Sequence, residues 1–310
     1  MNKLISIIST CYNEESNIER CYYVIKKLFN ENGLRYEHIF VDNYSKDNSR
    51  EIIKKICKKD KNVKAIFNSK NYGPFLSNFN GLKSASGDYI IVNFASDVQD
   101  PPEVIDKFLN KMNEGYDVVY GVKKSTDEGL ILNKCRKIFY YFINKFSSSS
   151  NPENSNEFAC ISKKVLDKIR NHKDYFPYIR GYFGKISDNV TFIEFDRNKR
   201  ERGQSKNSFF DLYTQAINGA VSTMDKPVRA LTVFSLIFVV ILLAMLFYSL
   251  TAKIFFPLSA PRGFAFLSVI ILFFFSWILL IMSLILEYLI AIHEQIRFNL
   301  DVSVDEKINF

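Results

Sequence analysis

Two stretches toward the carboxyl end limit what this chain of 310 residues can fold into. Ala230 to Thr251 is apolar apart from a few hydroxyls, and Phe264 to Ile290 carries a single carboxylate, Glu287, near its end. Each is longer than the ~20 residues that cross the hydrocarbon core of a bilayer. A buried helix of a water-soluble protein is the competing reading, and these lengths argue against it. The link between them, Lys253 to Gly263, contains Pro257 and Pro261, so the two segments read as a hairpin with both ends on one side. Lys226 and Arg229 precede the hairpin and Arg297 follows it, while the link carries only Lys253 and Arg262. The larger basic content of residues 1–229 lies on the same side as the hairpin's ends. Positive charge near membrane segments favours the cytoplasmic side. The expectation is a multi-pass protein of the inner (cytoplasmic) membrane, embedded in the lipid bilayer, with its large amino-terminal part in the cytoplasm.

That part is long enough to bury a core of its own. Apolar residues make up 47% of the chain and aromatics 15%, which excludes global disorder. Five cysteines (Cys11, Cys21, Cys57, Cys135, Cys160) are scattered, without paired spacing. They argue against a disulfide framework or a zinc site and for a reducing compartment. His38, His172 and His293 are far apart in sequence, so no histidine-based metal centre is expected. The chain enters a strand within its first residues, and no signal peptide is visible. A net charge of +8 would suit nucleic acid, but the hydropathy supplies the membrane surface as a better partner, and no nucleic acid is expected.

Short β-branched runs alternate with helical patterns along the first hundred residues. Leu4 to Ile8, Glu37 to Asp42, Val63 to Phe67 and Asp88 to Phe94 read as strands of a parallel sheet. Each is followed by a polar turn and then a helix. The turns carry Asn13 and Glu15; Asp42, Ser45 and Asp47; Asn71; and Asp97. A single acid in a turn is usually a cap, but several at the ends of consecutive strands point to one shared crevice, where such sheets bind ligands. In Asn93-Phe-Ala-Ser-Asp97-Val-Gln99-Asp-Pro-Pro102, a carboxylate and an amide oxygen two residues apart suit Mg²⁺ or Mn²⁺. An ordinary Asp-rich turn is the alternative. Neither GxGxxG nor GxxxxGK[ST] is present, so a dinucleotide fold or a P-loop is not indicated.

Three of these segments carry a resemblance. Ser9-Thr-Cys-Tyr-Asn-Glu-Glu15, Phe40-Val-Asp-Asn-Tyr-Ser-Lys-Asp47 and Ser96-Asp-Val-Gln-Asp-Pro-Pro-Glu103 are similar to the inverting family 2 glycosyltransferases of the GT-A fold. The Gln-Asp-Pro-Pro run and the hairpin resemble the polyprenyl-phosphate glycosyltransferases, the group of dolichyl-phosphate mannose synthase. The resemblance implies an α/β GT-A domain with a Rossmann-like mixed sheet over residues 1–203. An amphipathic juxtamembrane helix over 204–228, the two-helix transmembrane hairpin over 229–292 and a cytosolic tail over 293–310 would follow. It implies a nucleotide sugar, with a UDP-sugar favoured, bordered by Thr10, Tyr12, Asn13, Glu15, Asp42, Ser45, Asp47 and Asn71. Asp97 and Gln99 would hold Mg²⁺ or Mn²⁺. The family usually has two aspartates flanking one residue here, whereas this chain reads Ala95-Ser96-Asp97, which puts the metal requirement in question. Glu157, in Asn156-Glu157-Phe158, stands where the family has a catalytic-region aspartate.

Acceptor recognition is implied for Arg136, for Arg180 and for the segment Arg197-Asn-Lys-Arg200-Glu-Arg202-Gly-Gln-Ser205-Lys206. This segment resembles the family's Arg-x-x-Gly-x-Ser-Lys loop, and it precedes an amphipathic pattern at Phe209, Leu212, Tyr213, Ala216, Ile217 and Ala220. A generic patch for anionic lipid is the simpler explanation of the same charges. The expected catalytic set is Asp97, Glu157, Arg200 and Arg202. The expected reaction is inverting transfer of the sugar to polyprenyl phosphate, of the undecaprenyl kind, feeding synthesis or modification of cell-surface glycans. The resemblance also implies a homo-oligomer formed through the hairpin. Two alternatives stand beside it: a transferase acting on a hydroxyl of a lipid-linked glycan, and a non-catalytic nucleotide-sugar-binding membrane protein.

Overall fold

A computed structural model of the chain describes residues 3–124, 155–170, 183–184, 186–198, 263–297 and 302–310, with isolated positions at 240, 244, 247, 251 and 255. Eight strands form one sheet: β1 (Leu4–Cys11), β2 (Arg35–Asp42), β3 (Val63–Asn68), β4 (Tyr89–Val92), β5 (Val118–Lys123), β6 (Ser155–Ser162), β7 (Val190–Phe195) and β8 (Val304–Ile308). Their order is β7-β5-β6-β4-β1-β2-β3-β8. β1 pairs in parallel with β2 and with β4, and β2 with β3. β6 runs antiparallel between β4 and β5, and β8 runs antiparallel beside β3. The expected Rossmann-like mixed sheet is therefore present. The chain order turns back at β1, between β2 and β4, which is where an open α/β sheet leaves a ligand crevice.

Helices cover both faces. α1 (Ile18–Glu31), α2 (Ser49–Lys59) and α4 (Glu103–Asn113) bury Ile25, Phe29, Ile53, Ile105 and Phe108 against Ile7, Phe40, Phe67 and Ile91. α3 (Gly73–Ser84) and α5 (Lys163–Arg170) close the opposite face with Phe79, Leu82, Leu166 and Ile169 over Ile8, Ile39, Val41 and Ile90. Strands buried on both faces tend toward apolar, β-branched runs, which made β1 to β4 visible in the sequence even where Glu37, His38 and Lys64 interrupt β2 and β3.

Two strands were not. β6 begins at the end of a polar, serine-rich run, and no alternation announces it. The tail expected over residues 293–310 is not all tail, because Val304–Ile308 returns to the sheet as β8. Its pattern, Val-Asp-Glu-Lys-Ile, has charged side chains at its centre, as suits an edge strand paired on one side only. Asn309 fastens its end by donating from Nδ2 to the carbonyls of Cys57 (2.8 Å) and Val63 (2.7 Å).

The molecule divides into two compact units, one comprising Met1–Thr223 with Asn299–Phe310 and the other Met224–Phe298. The second contains α6 (Gly263–Arg297), 35 residues and so ~50 Å long. Its segment Phe273–Ile290 is the one span among the described residues long and apolar enough to cross a bilayer. Ile271, Phe275, Leu279, Met282 and Leu286 are all more than half exposed. The first apolar segment and the link lie almost wholly outside the described residues, so of the expected hairpin only this one helix is described. The juxtamembrane segment 204–228 also lies outside them.

Candidate active site

All the parallel strands end on one edge of the sheet, and β6 and β8, running the other way, begin there. The edge therefore gathers Thr10 to Glu15, Asp42 to Ser45, Asn68 to Asn71, Asn93 to Gln99, Lys123, Glu157 and Arg197. Most of the candidates are thus brought to one edge of the sheet.

At its centre three strands are tied by one side chain that sequence reasoning did not select. Asn93, just past β4, accepts at Oδ1 from the Thr10 hydroxyl (3.0 Å) and donates from Nδ2 to Glu157 Oε2 (3.1 Å). Glu157 is buried, at 8% exposure. The Ser96 hydroxyl donates to the Thr10 carbonyl at 2.8 Å, holding the Asp97 turn against β1. Within that turn the Gln99 amide donates to Asp97 Oδ1 (3.2 Å) and the Val98 amide to the Ala95 carbonyl (2.9 Å). Val98 sits at φ 56°, a left-handed conformation that a β-branched residue adopts only when its surroundings force it. Asn13 (φ 53°), Tyr44 (φ 68°) and Asn93 (φ 52°) are left-handed as well, all on this edge. Backbone strain concentrated at one rim is a mark of functional sites.

The nucleotide-side candidates form two connected turns. Asp42, fully buried, accepts from the Ser45 amide (3.2 Å to Oδ2) and from Arg50 Nε (2.7 Å). The Ser45 hydroxyl accepts from the Asn13 amide (2.9 Å), and Asn13 Oδ1 accepts from the Lys46 amide (2.7 Å). Asn71 Oδ1 accepts from Asn43 Nδ2 (2.8 Å) and from the Gly73 amide (2.9 Å). Glu15 and Asp47 latch their loops reciprocally: the Glu15 amide donates to Asp47 Oδ2 (3.1 Å), and the Asn48 amide to Glu15 Oε2 (3.0 Å). Burial alone would raise the Asp47 carboxyl. Hydrogen bonds from the Ser49 hydroxyl and from the Ser49 and Glu15 amides outweigh it and hold the carboxyl below its usual range. Cys11, buried beside these groups, has its thiol pushed well up by burial and then by Asp42, so no thiolate nucleophile is available here.

Of the basic segment expected to meet the acceptor, only the start, Arg197 and Asn198, is described. Arg197 donates from Nε to Asp100 Oδ1 (3.3 Å), and the Asn198 amide donates to the Gln99 carbonyl (2.9 Å). These bonds join the start of the basic segment to the Asp97 turn. Arg136, Arg180, Arg200, Arg202, Ser205 and Lys206 lie outside the described residues.

The family model for glycosyl transferase family 2 matches residues 6–170, more than half of the chain and all of this edge except the end of β7 and the start of β8. The chain belongs to glycosyl transferase family 2. This family 2 glycosyltransferase is 29% identical over 293 residues to the uncharacterized glycosyltransferase YkcC of Bacillus subtilis, covering 94% of this chain and 90% of that one. It is 28% identical over 235 residues to the prophage bactoprenol glucosyl transferase homolog of Escherichia coli, covering 75% and 76%. Among solved structures it resembles glucosyl-3-phosphoglycerate synthase of Mycobacterium tuberculosis, crystallised with Mn²⁺, UDP and phosphoglyceric acid. The TM-score is 0.52 at 16% identity, over 71% of this chain and 76% of that one. The mannosyltransferase PcManGT of Pyrobaculum calidifontis, in complex with GDP-Man and Mn²⁺, gives 0.50 at 12% identity over 73% and 66%. These likenesses establish the GT-A fold.

For the metal of such enzymes, the donor set in this family 2 chain is lean. Among the described residues no group of three or more His, Cys, Asp or Glu side chains is close enough to hold an ion, and Ala95 adds no ligand. By residue type Asp97 and Gln99 offer one carboxylate and one amide oxygen, a set that would suit an Mg²⁺-type ion taking its remaining ligands from water and a diphosphate. Mg²⁺ is commonly bound in that way, through one or two carboxylates plus substrate phosphates.

Proposed function

We propose that this glycosyltransferase belongs to the polyprenyl-phosphate group. It moves a sugar, with inversion, from a nucleoside diphosphate sugar (uridine favoured) to a polyprenyl phosphate of the undecaprenyl kind at the cytoplasmic membrane face. The observation that carries this reading is the union, in one chain, of a family 2 catalytic edge with a 35-residue helix whose apolar side chains are exposed. A chain with both can meet a lipid acceptor at the bilayer. The similarity to a bactoprenol glucosyl transferase homolog over three quarters of each chain supports the same acceptor.

In the proposed reaction an acceptor phosphate oxygen attacks the anomeric carbon from the side opposite the diphosphate. The bond from that carbon to the diphosphate oxygen breaks, and its electron pair leaves with the nucleoside diphosphate. The acceptor phosphate is anionic near neutral pH, so no proton need be removed and no strong base is required. The demand on the protein is to bring two anions into line. Arg136, Arg180, Arg200, Arg202, Ser205 and Lys206 hold the acceptor phosphate. Thr10, Tyr12, Asn13, Glu15, Asp42, Ser45, Asp47 and Asn71 bind or shape the nucleoside side. Asp97 and Gln99 would hold Mg²⁺ or Mn²⁺, which supplies positive charge to the leaving diphosphate. Glu157, oriented by Asn93, positions the acceptor. Residues 229–292 span the membrane twice and serve as the contact for a homo-oligomer.

The test is turnover. Purified full-length protein in detergent is incubated with undecaprenyl phosphate, Mg²⁺ or Mn²⁺ and a panel of labelled UDP- and GDP-sugars, and the lipid phase is extracted. The expected product is a labelled lipid that releases its sugar in mild acid. Label appearing only on the hydroxyl of a lipid-linked glycan would overturn the acceptor assignment. Nucleotide binding with no transfer to either acceptor would favour a non-catalytic binding protein.

A further inference from the structure

The returning strand β8 reaches the crevice edge beside the two turns on its nucleotide side and bonds to both. Arg50 donates from Nε to the buried Asp42 (2.7 Å), and its Nη2 is shared between the Asn68 carbonyl (2.7 Å) and Asp305 Oδ2 (3.3 Å). The same guanidinium lies over the rings of Tyr44 (5.5 Å) and Phe67 (5.4 Å). It therefore touches the turn after β2, the end of β3 and the start of β8 at once. The second link is made by Ser303. Its amide donates to the Tyr72 hydroxyl (3.1 Å), and its carbonyl accepts from the Ser69 amide (3.0 Å) and hydroxyl (3.1 Å). Tyr72 in turn donates its amide to Asn43 Oδ1 (2.8 Å), and Asn43 holds Asn71. Lys54 pairs with Glu306 at 2.8 Å and secures the strand to α2.

The buried Asp42 carboxylate is held by the Ser45 amide and by Arg50, so a shift of the guanidinium disturbs one of its two anchors. Arg50 has a long, flexible stem, and its far end is held by the Asn68 carbonyl and, from β8, by the Asp305 carboxylate. We propose that β8 is the positioning element of the donor pocket. Through Arg50 it orients Asp42, and through Tyr72 it orients Asn43 and Asn71, so affinity for the nucleotide depends on a strand that follows the membrane segment in sequence. The inference rests on the reading of Asp42 and Asn71 as nucleoside contacts. Asp305 and Tyr72 are positioning residues and touch no substrate.

The experiment uses full-length protein in detergent, with UDP as the calorimetric probe and steady-state kinetics in the best donor from the sugar panel. Asp305→Asn and Tyr72→Phe are each expected to raise the donor KM and the UDP dissociation constant by about two- to fivefold, the size of one partly exposed polar contact. In the double variant the effects should compound. kcat and the KM for undecaprenyl phosphate should stay within about twofold, and Asp305→Glu should restore most of the affinity. Asp42→Asn serves as the control. If it weakens UDP binding while both β8-side variants bind UDP like the wild type, the positioning role is wrong and the nucleoside reading stands. If Asp42→Asn itself leaves UDP affinity unchanged, the nucleoside reading fails and takes this inference with it. A uniform fall in kcat with a lowered thermal midpoint and unchanged UDP affinity would reduce β8 to a structural strand.

Discussion

Asn93 carries more of the site than its place in the sequence suggests. Its left-handed backbone turns the chain at the end of β4, and its amide joins Thr10 to Glu157. Asn93→Gly keeps that backbone accessible and deletes both bonds, so kcat should fall by about ten- to a hundredfold, the worth of a hydrogen bond to a charged group. Nucleotide affinity should change little, which steady-state kinetics would separate. Asp97→Ala should abolish transfer, by about a hundredfold or more, if the leaving diphosphate depends on the metal it helps to hold. Near-normal activity in that variant would sink the metal assignment. Asp97, Asp42 and Glu157 were legible because each stands in a motif or directly after a strand. Asn93 and Arg50 were not, because a lone amide after a strand and an arginine inside a basic helix match no spacing rule. Only the contact across strands reveals them.

At the scale of elements, the parallel strands and their helices could be read from short β-branched runs and helical periodicity, although buried Ser6, Ser9, Glu37 and His38 interrupt the apolar runs of β1 and β2. β6 and β8 escaped, the one behind a serine-rich run and the other behind its own charges. Packing between elements yields two expectations. A Cβ on Gly81 would lie 2.6 Å from Ile8 Cγ2 and 3.0 Å from Val41 Cγ2, so α3 rests on β1 and β2 with no room to spare. Gly81→Ala should destabilise the domain by about 1–3 kcal/mol, read as a lower thermal midpoint. On β2, His38 is fully buried, bonded through Nε2 to the Ser9 hydroxyl at 3.0 Å. Burial lowers its pKa from the ordinary 6.5 to about 3. Below pH 6.5 the unfolded chain takes up a proton that the folded one refuses, so stability falls as pH drops from 6.5 toward 3. The slope from this one group is about 1.4 kcal/mol per pH unit. His38→Gln should flatten that part of the profile when denaturant midpoints are measured at pH 7, 6 and 5.

For the whole molecule, the first unit is an α/β domain sealed on both faces and the second exposes apolar side chains along α6. So large an exposed apolar surface suits a lipid or protein partner, and the expressed chain is expected to sediment with membranes and resist alkaline carbonate extraction. Recovery in the soluble fraction without detergent would contradict a spanning helix. The return of the chain into the sheet also imposes an order on its making. β1 is among the first segments the ribosome delivers, whereas β8 is synthesised only after α6. Until β8 has been synthesised the margin of β3 remains an open template, and open margins recruit foreign strands. A chain that ends before residue 304 leaves that margin of the sheet unpaired.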